Sequence, residues 1–394
     1  MERAINQKFN ILTALGIIAV VGMHTDFVFV DWLSTTWVIP LFVFVSGYFF
    51  SGKPFRVFCG RKIQHLLIPF LTWNVFYGVL INALSEGGWT ALSHQPISLG
   101  SLFWYPFTTG WQFWFNTASW FVGMLIPIQL FYWVLFKYTK GNSFMIVPVL
   151  VGAHIVSLYM AFHGYVKVSY DGWFPNWGLG IARIFCCLIF YHLGYLYRNY
   201  GEKRDVFSVN KIVGVILLNA LIMGYIKPQI WADYNQMIFP HHNYWIPFVV
   251  SIGGIWACLQ VAEVLQHYIK LNDLLSYIGR HSWDIMMHQF FFFWLLNTLL
   301  FGLKNHGILN LNTFDYNRYM HEIYFRISAH PPVNRLIYLV VGVMGPVVCC
   351  WLYEKYAKAH VLRFRRNLLL HIDKIRSGGG RLRIYNNSEL LAYV

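Results

Sequence analysis

The sequence predicts an all-α protein, a polytopic bundle of transmembrane helices, and three observations support that class. Its 394 residues are 57% hydrophobic and only 12% charged, whereas soluble domains carry about 25% charged residues. Apolar runs of roughly 20 residues, the length that crosses the hydrocarbon core, recur along the chain. Lys and Arg fall mainly in alternate connections between these runs. The first run has no small-residue cleavage site, so we expect it to stay in the membrane.

Ten spans are predicted from the apolar runs. Of the 30 Lys and Arg residues, 23 fall at the termini and in the loops predicted to share their compartment. Both termini are therefore predicted to be cytoplasmic, because Lys and Arg accumulate on that side. Residues 1–357 would form the membrane domain and 358–394 a basic cytoplasmic tail. The predicted spans are 9–29, 36–52, 66–84, 115–136, 143–162, 178–197, 210–226, 244–265, 283–303 and 335–355.

The first span carries polar groups on one face. Asn10 and Thr13 fall within roughly 40° of His24 around an α-helix. An ionisable side chain inside a spanning helix is costly, so it predicts a functional site. A structural histidine that bonds a neighbouring helix is the alternative.

The second span and the segment after it supply small residues and cations. Ser46 and Gly47 lie among large aromatic residues, where they would allow close approach of a ligand or of another helix. Arg56, Arg61 and Lys62 follow at the predicted cytoplasmic rim. These cations could bind phosphate groups, or they could serve the membrane topology alone.

Two later spans carry further polar groups. Arg183 should face the bundle interior and pair with a carboxylate or a polar ligand, or form a purely structural ion pair. His281, Asp284 and His288 are spaced to share a helix face, so Asp284 could orient either imidazole. Helical rise alone places His24 about 22 Å and His288 about 8 Å from the cytoplasmic surface. One pocket holding both would require tilted or shifted helices.

The remaining segments exclude some classes of function. The basic tail suits topology and lipid head groups, so no nucleic-acid partner is expected. The six cysteines show no metal-ligand spacing, so no metal is expected. The predicted external loops 85–114 and 304–334 are rich in aromatic and polar residues. These loops favour a sugar ligand, although aromatic residues also gather at every membrane interface.

Several segments, in this order, resemble acyltransferase family 3, and together they cover nearly all of residues 8–300. They are the histidine that ends the first span, FVFVSGYFFSGK from Phe42, RKIQHLLIPFLTWN from Arg61, SWFVGMLIPIQL from Ser119, RIFCCLIFYHLGYLY from Arg183 and IGRHSWDIMMH from Ile278. Members of this family are integral membrane enzymes that transfer acyl groups, often acetyl from acetyl-CoA, to sugars of surface polysaccharides or lipopolysaccharides.

The resemblance implies an O-acetyltransferase of the inner or plasma membrane, with acetyl-CoA as donor and a carbohydrate or lipid-linked saccharide as acceptor. Transfer to a hydroxyl needs a base, and His24 is the candidate. Asn10 would be a hydrogen-bonding helper, and His288 matches the late histidine of the family. The predicted cofactor contacts are Arg56, Arg61, Lys62, Ser46 and Gly47. The predicted substrate contacts are Arg183, Trp120 and Asp284.

Some positions depart from the family pattern. The family usually has an arginine eleven residues before the histidine, where this chain has Thr13. Its acidic residue three positions earlier corresponds to Asn10, and Asp284 matches no family motif. Either a neighbouring cation substitutes for the arginine, or the rate or donor choice is altered.

Two other functions remain open at this stage. A transporter or flippase would also use many spans and buried polar groups, although residues 9–165 and 178–355 show no internal repeat. A non-catalytic member that keeps the acyltransferase fold is the second alternative.

Overall fold

Each predicted span contains a helix in the computed structural model of the protein. This is expected, because lipid offers no hydrogen-bond partners and a helix pairs its own backbone N–H and C=O groups. The structure describes residues 2–26, 36–90, 97–108, 114–166, 177–205, 207–225, 233–239, 244–310, 312–327, 331–361 and 363. Among these residues, eight helices are long and apolar enough to span a membrane, and two shorter apolar helices accompany them. The protein is a helical membrane bundle.

Fifteen α-helices are described, and three of them continue into π-helical turns, which are Ile63–Leu67, Tyr197–Gly201 and Tyr353–Ala357. A 3₁₀ helix, Trp114–Ser119, precedes α7. The helices are α1 (Glu2–His24), α2 (Val38–Tyr48), α3 (Phe55–Lys62), α4 (Ile68–Glu86), α5 (Leu99–Phe103), α6 (Tyr105–Thr108), α7 (Trp120–Tyr138), α8 (Ser143–Phe162), α9 (Trp177–Leu196), α10 (Val209–Tyr225), α11 (Ile246–Leu265), α12 (Ile269–Arg280), α13 (Ser282–Asn305), α14 (Tyr316–His321) and α15 (Pro331–Leu352).

Helix α1 lies at the centre of the bundle. It contacts α2, α11, α12, α13 and α15. Its apolar side chains are buried on several sides, including Leu12, Ile17 and Val21. Helix α1 is therefore surrounded by other helices of the bundle.

Helices α2 and α9 cross at close range because each contributes a glycine. A Cβ at Gly47 would lie 1.9 Å from the carbonyl oxygen of Tyr191, and one at Gly194 would lie 1.9 Å from that of Phe44. Small residues permit such backbone contact between membrane helices. The surface around Gly47 is thus occupied by α9.

The boundaries differ from the prediction at several helices. Helix α1 begins at Glu2 rather than at residue 9 and ends at His24. Helix α2 covers only Val38–Tyr48 of the predicted span 36–52. The basic segment before the third span is helical, and α3 runs through a π-helical turn directly into α4. Helix α12, predicted as loop, packs along α1. Its composition hides it, since the buried face mixes Leu275 and Ile278 with the polar Asn272, while apolar Leu274 lies on the exposed side with Asp273.

The predicted loop 304–334 contains a folded segment, residues 312–327, which we call the cap. Phe314, Tyr319 and Phe325 are buried in a small apolar core of their own. The polar residues that suggested a loop, such as Arg318 and Glu322, lie on its exposed side and pair with each other at 2.7 Å. Most of the predicted tail, 364–394, lies outside the described residues.

Candidate active site

A cavity of about 330 Å³ lies beside the last two turns of α1. Its size falls at the lower end of the range for small-molecule sites. Apolar side chains from α1, α2 and α7 form most of its wall, and a turn at residues 233–236 and the start of α13 complete it. Its polar and aromatic lining residues are His24, Ser282, Asp233, Asn235, Gln236, Phe42, Trp120, Phe121, Tyr234, Trp283 and Tyr324.

His24 is held in this wall by a buried glutamine of α13. Its Nδ1 lies 2.8 Å from Oε1 of Gln289. The amide nitrogen of Gln289 donates to the carbonyl oxygen of Met286 at 3.2 Å, which fixes the amide with its oxygen toward the imidazole. Because an amide oxygen can only accept, Nδ1 carries the proton. The other ring nitrogen, Nε2, is then unprotonated and able to accept one.

The backbone of His24 is held as well. Nη2 of Arg326, in the cap, donates to the carbonyl oxygen of His24 at 2.9 Å. The same guanidinium lies 4.4 Å from the ring centroid of Phe293 and 5.2 Å from that of Tyr338. Burial lowers the pKa of Arg326 to about 10, so the guanidinium stays charged at neutral pH. The C-terminal end of α1 thus receives a fixed cation, which the helix dipole favours.

The opposite wall is organised by Arg183. Its Nε and Nη2 donate to the carbonyl oxygen and to Oδ1 of Asn235, at 2.6 and 2.7 Å. Its guanidinium lies 4.8 Å from the ring centroid of Trp120. Arg183 therefore faces the bundle interior as predicted and stands behind two residues that line the cavity. Since Oδ1 of Asn235 is engaged, the amide NH₂ of Asn235 is directed away from the guanidinium.

The turn that carries Asn235 is held by Asp233. The carboxylate accepts the backbone N–H groups of Asn235 and Gln236 at 2.7 and 3.1 Å. Tyr234 anchors the turn to α11, with its hydroxyl 2.8 Å from Oγ of Ser251. Burial raises the pKa of Asp233, and the two N–H bonds and Arg183 act against that rise. A partly desolvated carboxyl group therefore lies in the cavity wall.

Two predicted catalytic partners of His24 lie elsewhere. Asn10 sits where α1 crosses α12, and a Cβ at Gly279 would lie 1.8 Å from its carbonyl oxygen. His288 faces α4, with Nδ1 2.6 Å from the hydroxyl of Tyr77. Neither residue lines the cavity.

The rise-based separation of His24 and His288 was wrong, because Gln289, the residue after His288, bonds His24. Helix α12 packs along α1, and Ser282 and Trp283 at the start of α13 line the same cavity as His24.

The predicted cofactor contacts fall into two groups. Ser46 and Gly47 lie at the α2–α9 crossing, where Oγ of Ser46 accepts from Gln129 at 2.7 Å, and neither lines the cavity. The second group comprises Arg56, Arg61 and Lys62 on α3. Leu66 does line the cavity and follows Lys62 by about one helical turn. Lys62 is therefore about one turn from the cavity wall, and none of the three cations lines the cavity itself.

The predicted pairing of Asp284 with either imidazole is resolved in favour of His281. Oδ2 of Asp284 lies 2.9 Å from Nδ1 of His281. Asp284 does not line the cavity, whereas its neighbours Ser282 and Trp283 do. Thr13, at the position of the family's arginine, donates its hydroxyl to the carbonyl oxygen of Phe9 at 2.7 Å.

Three residues of the site were missed by sequence reasoning. Gln289 is fully buried in an apolar helix and follows His288 directly. A polar residue in such a helix could have been predicted to belong to the site. Asn235 lies in a short polar segment without periodicity. Arg326 lies in the segment that was predicted to be a loop.

Comparison with known families gives one match. A family model described as an acyltransferase domain matches residues 6–355. No significant match was found among curated proteins or among solved structures.

Proposed function

We infer the reaction from one premise: the chain belongs to the acyltransferase family whose domain matches residues 6–355, and it is a multi-pass membrane protein. We propose that it transfers an acetyl group from cytoplasmic acetyl-CoA to a hydroxyl of a surface saccharide or of its lipid-linked precursor. The reaction would take place in the inner or plasma membrane. His24 would act as the general base.

The geometry of His24 and Gln289 carries this proposal. Proton removal from an acceptor hydroxyl needs an unprotonated nitrogen next to the bound substrate. The bond from Nδ1 to Gln289 leaves Nε2 in that state, and His24 lines the cavity. The imidazole would take the hydroxyl proton while the oxygen attacks the thioester carbonyl, and the CoA thiolate would leave.

Asn235 would supply the complementary donor. The oxygen that develops negative charge during acyl transfer is stabilised by N–H groups already directed at it. The amide oxygen of Asn235 is held by Arg183, which leaves its NH₂ group for the cavity that it lines. Arg183 would then be a positioning residue rather than a ligand of the substrate.

The donor would approach from the side of α3. Arg and Lys are the usual partners of phosphate groups. Arg61 and Lys62 precede Leu66, which lines the cavity. If the phosphates of CoA bind at this rim, the arm that carries the thioester would extend along the cavity toward His24.

The acceptor would bind against the aromatic wall. Tyr324, Trp283 and Trp120 line the cavity together with the polar turn 233–236. Aromatic faces pack on the apolar faces of sugar rings, and carboxylate and amide groups can bond sugar hydroxyls. This combination supports a saccharide more than a purely lipid acceptor.

The test is release of free thiol from acetyl-CoA by the purified protein, with a cell-envelope saccharide extract as acceptor. We expect His24→Ala to lower the rate about 10²–10⁴-fold while the protein remains folded. His163→Ala, at an exposed histidine that ends α8, is the matched control. Activity of His24→Ala within about threefold of wild type would show that His24 is not the general base. A transporter or a non-catalytic family member would release no more free thiol than a control with denatured protein.

A further inference from the structure

A second polar cluster lies outside the cavity, where α12, α13 and α15 meet. It contains His281 between α12 and α13, Asp284 in the first turn of α13, and Cys350 near the end of α15. The ligand atoms of these three side chains lie within 4.8 Å of one another. We propose that this cluster binds one zinc ion, which fastens the end of α15 to the α12–α13 junction.

The three atoms already have nearly the spacing that zinc requires. Nδ1 of His281 lies 2.9 Å from Oδ2 of Asp284, and the Cys350 sulfur lies within 4.8 Å of both side chains. In a tetrahedral site with bonds of about 2.0–2.3 Å, neighbouring ligand atoms are about 3.3–3.6 Å apart. Small side-chain rotations would therefore admit the ion. A thiolate, an imidazole and a carboxylate together select zinc over magnesium or calcium, which prefer oxygen ligands alone.

A second carboxylate supports the imidazole from its other side. Nε2 of His281 lies 3.9 Å from Oε1 of Glu354. The other oxygen of Glu354 accepts from the hydroxyl of Tyr277 at 2.9 Å. With zinc on Nδ1, Nε2 carries its proton and faces the Glu354 carboxylate. A histidine between zinc and a carboxylate is the arrangement that orients metal-binding imidazoles in proteins.

The backbone brings these groups together. Gly345 lets α15 approach α13, since a Cβ there would lie 2.3 Å from the ring of Phe292. Glu354 lies in the π-helical turn that follows α15, and such turns are frequent at functional sites. The side chains of His281 and Asp284 are 16% and 30% exposed, so an ion can reach them.

The ligands come from two distant stretches of the chain, which explains why cysteine spacing gave no sign of the site. A structural ion pair would explain His281 and Asp284, but it needs neither the thiol nor Glu354. Zinc coordination uses the thiolate, so each ion that binds displaces the Cys350 proton to solvent. The two explanations therefore predict different behaviour for Cys350.

The adjacent cysteines provide a matched pair for the test. Cys349 is exposed, whereas Cys350 belongs to the cluster. The full chain is purified, stripped with a chelator and titrated with zinc alone or with cobalt(II) alone. The measurements are metal bound per chain, the thiolate-to-cobalt absorption band and the unfolding temperature.

We expect wild type and Cys349→Ser to bind one ion, to show the band and to unfold at higher temperature with zinc. Cys350→Ser should lose the band, and His281→Gln should lose most of the bound metal. Glu354→Gln should keep the band with affinity about 10–100-fold weaker. Wild type that binds no metal after stripping, or a band that persists in Cys350→Ser, would overturn the proposal. Because wild type is compared with and without zinc, the test stands even if a variant fails to fold.

Discussion

Nη2 of Arg326 donates to the backbone carbonyl oxygen of His24 across 2.9 Å, which joins two residues 302 positions apart in the chain. The same guanidinium also donates to the carbonyl oxygens of Ile323 and Phe325. One side chain therefore ties the cap to the helix that carries the candidate base.

Arg326→Lys should impair the protein even though the charge is kept, because an ammonium cannot reproduce the planar fork of donors. We expect a loss of unfolding free energy of about 1–3 kcal/mol from the carbonyl groups left unpaired. We also expect a lower turnover rate. Arg318→Lys is the control on the same cap, where the arginine is exposed and pairs with Glu322. Equal behaviour of the two variants in thermal unfolding and in turnover would show that the contact with His24 is unimportant.

Gln289→Leu should lower turnover about 10–100-fold, because the imidazole loses the acceptor that keeps the proton on Nδ1. Gln289→Glu retains an oxygen acceptor at that position and should recover much of the rate. Turnover of folded protein, measured at saturating acetyl-CoA, is the readout. Gln129→Leu removes another buried glutamine that bonds Ser46 and does not line the cavity. If Gln289→Leu is no slower than Gln129→Leu, Gln289 has only a packing role.

Asp233→Asn should change stability in a pH-dependent way. The pKa of Asp233 is raised in the folded protein, so the stability due to its neutral form is present below the unfolded pKa. That stability is lost as pH rises through the folded pKa. The variant should therefore be more stable than wild type near neutral pH, and the difference should shrink toward about pH 4.

Unfolding temperatures recorded between about pH 4 and about pH 8 measure this difference. Asp273→Asn, at an exposed carboxylate on α12, is the control. A difference that is constant across this range would exclude Asp233 as its source. Acceptor affinity should fall in Asp233→Asn if the carboxylate binds sugar hydroxyls.

The double variant Arg61→Ala/Lys62→Ala should raise the KM for acetyl-CoA while kcat changes less, which is the pattern of lost uniform binding. Lys137→Ala/Lys140→Ala removes two other cations predicted to be cytoplasmic, from the end of α7 and the turn that follows. An unchanged KM, together with misoriented protein in a protease-accessibility assay, would assign Arg61 and Lys62 to topology alone.

The sequence predicted correctly those features that depend on the residues of a single helix. Apolar runs predicted the spans, and His24 stood out because an ionisable group in such a run is rare. Arg183 was correctly predicted to face the interior for the same reason. Its partner Asn235 could not be predicted, since the pairing depends on a turn 52 residues away.

Three predicted site residues share one structural setting. Asn10 was predicted to assist His24, and Ser46 and Gly47 to contact the cofactor, and each lies where two helices touch. A small or polar residue in a span looks the same whether it faces a ligand or a neighbouring backbone. Only the packing of α12 on α1 and of α9 on α2 distinguishes the two cases.

The contacts of His24 also have a consequence for biosynthesis. Gln289 and Arg326 lie 265 and 302 residues after His24, so both are made long after α1 leaves the ribosome. At about 5–20 residues per second, α1 waits roughly 13–60 s for these partners. During that interval the histidine is in the membrane without the bonds that hold it in the finished protein. Chains truncated before the cap should therefore insert α1 without completing the candidate active site.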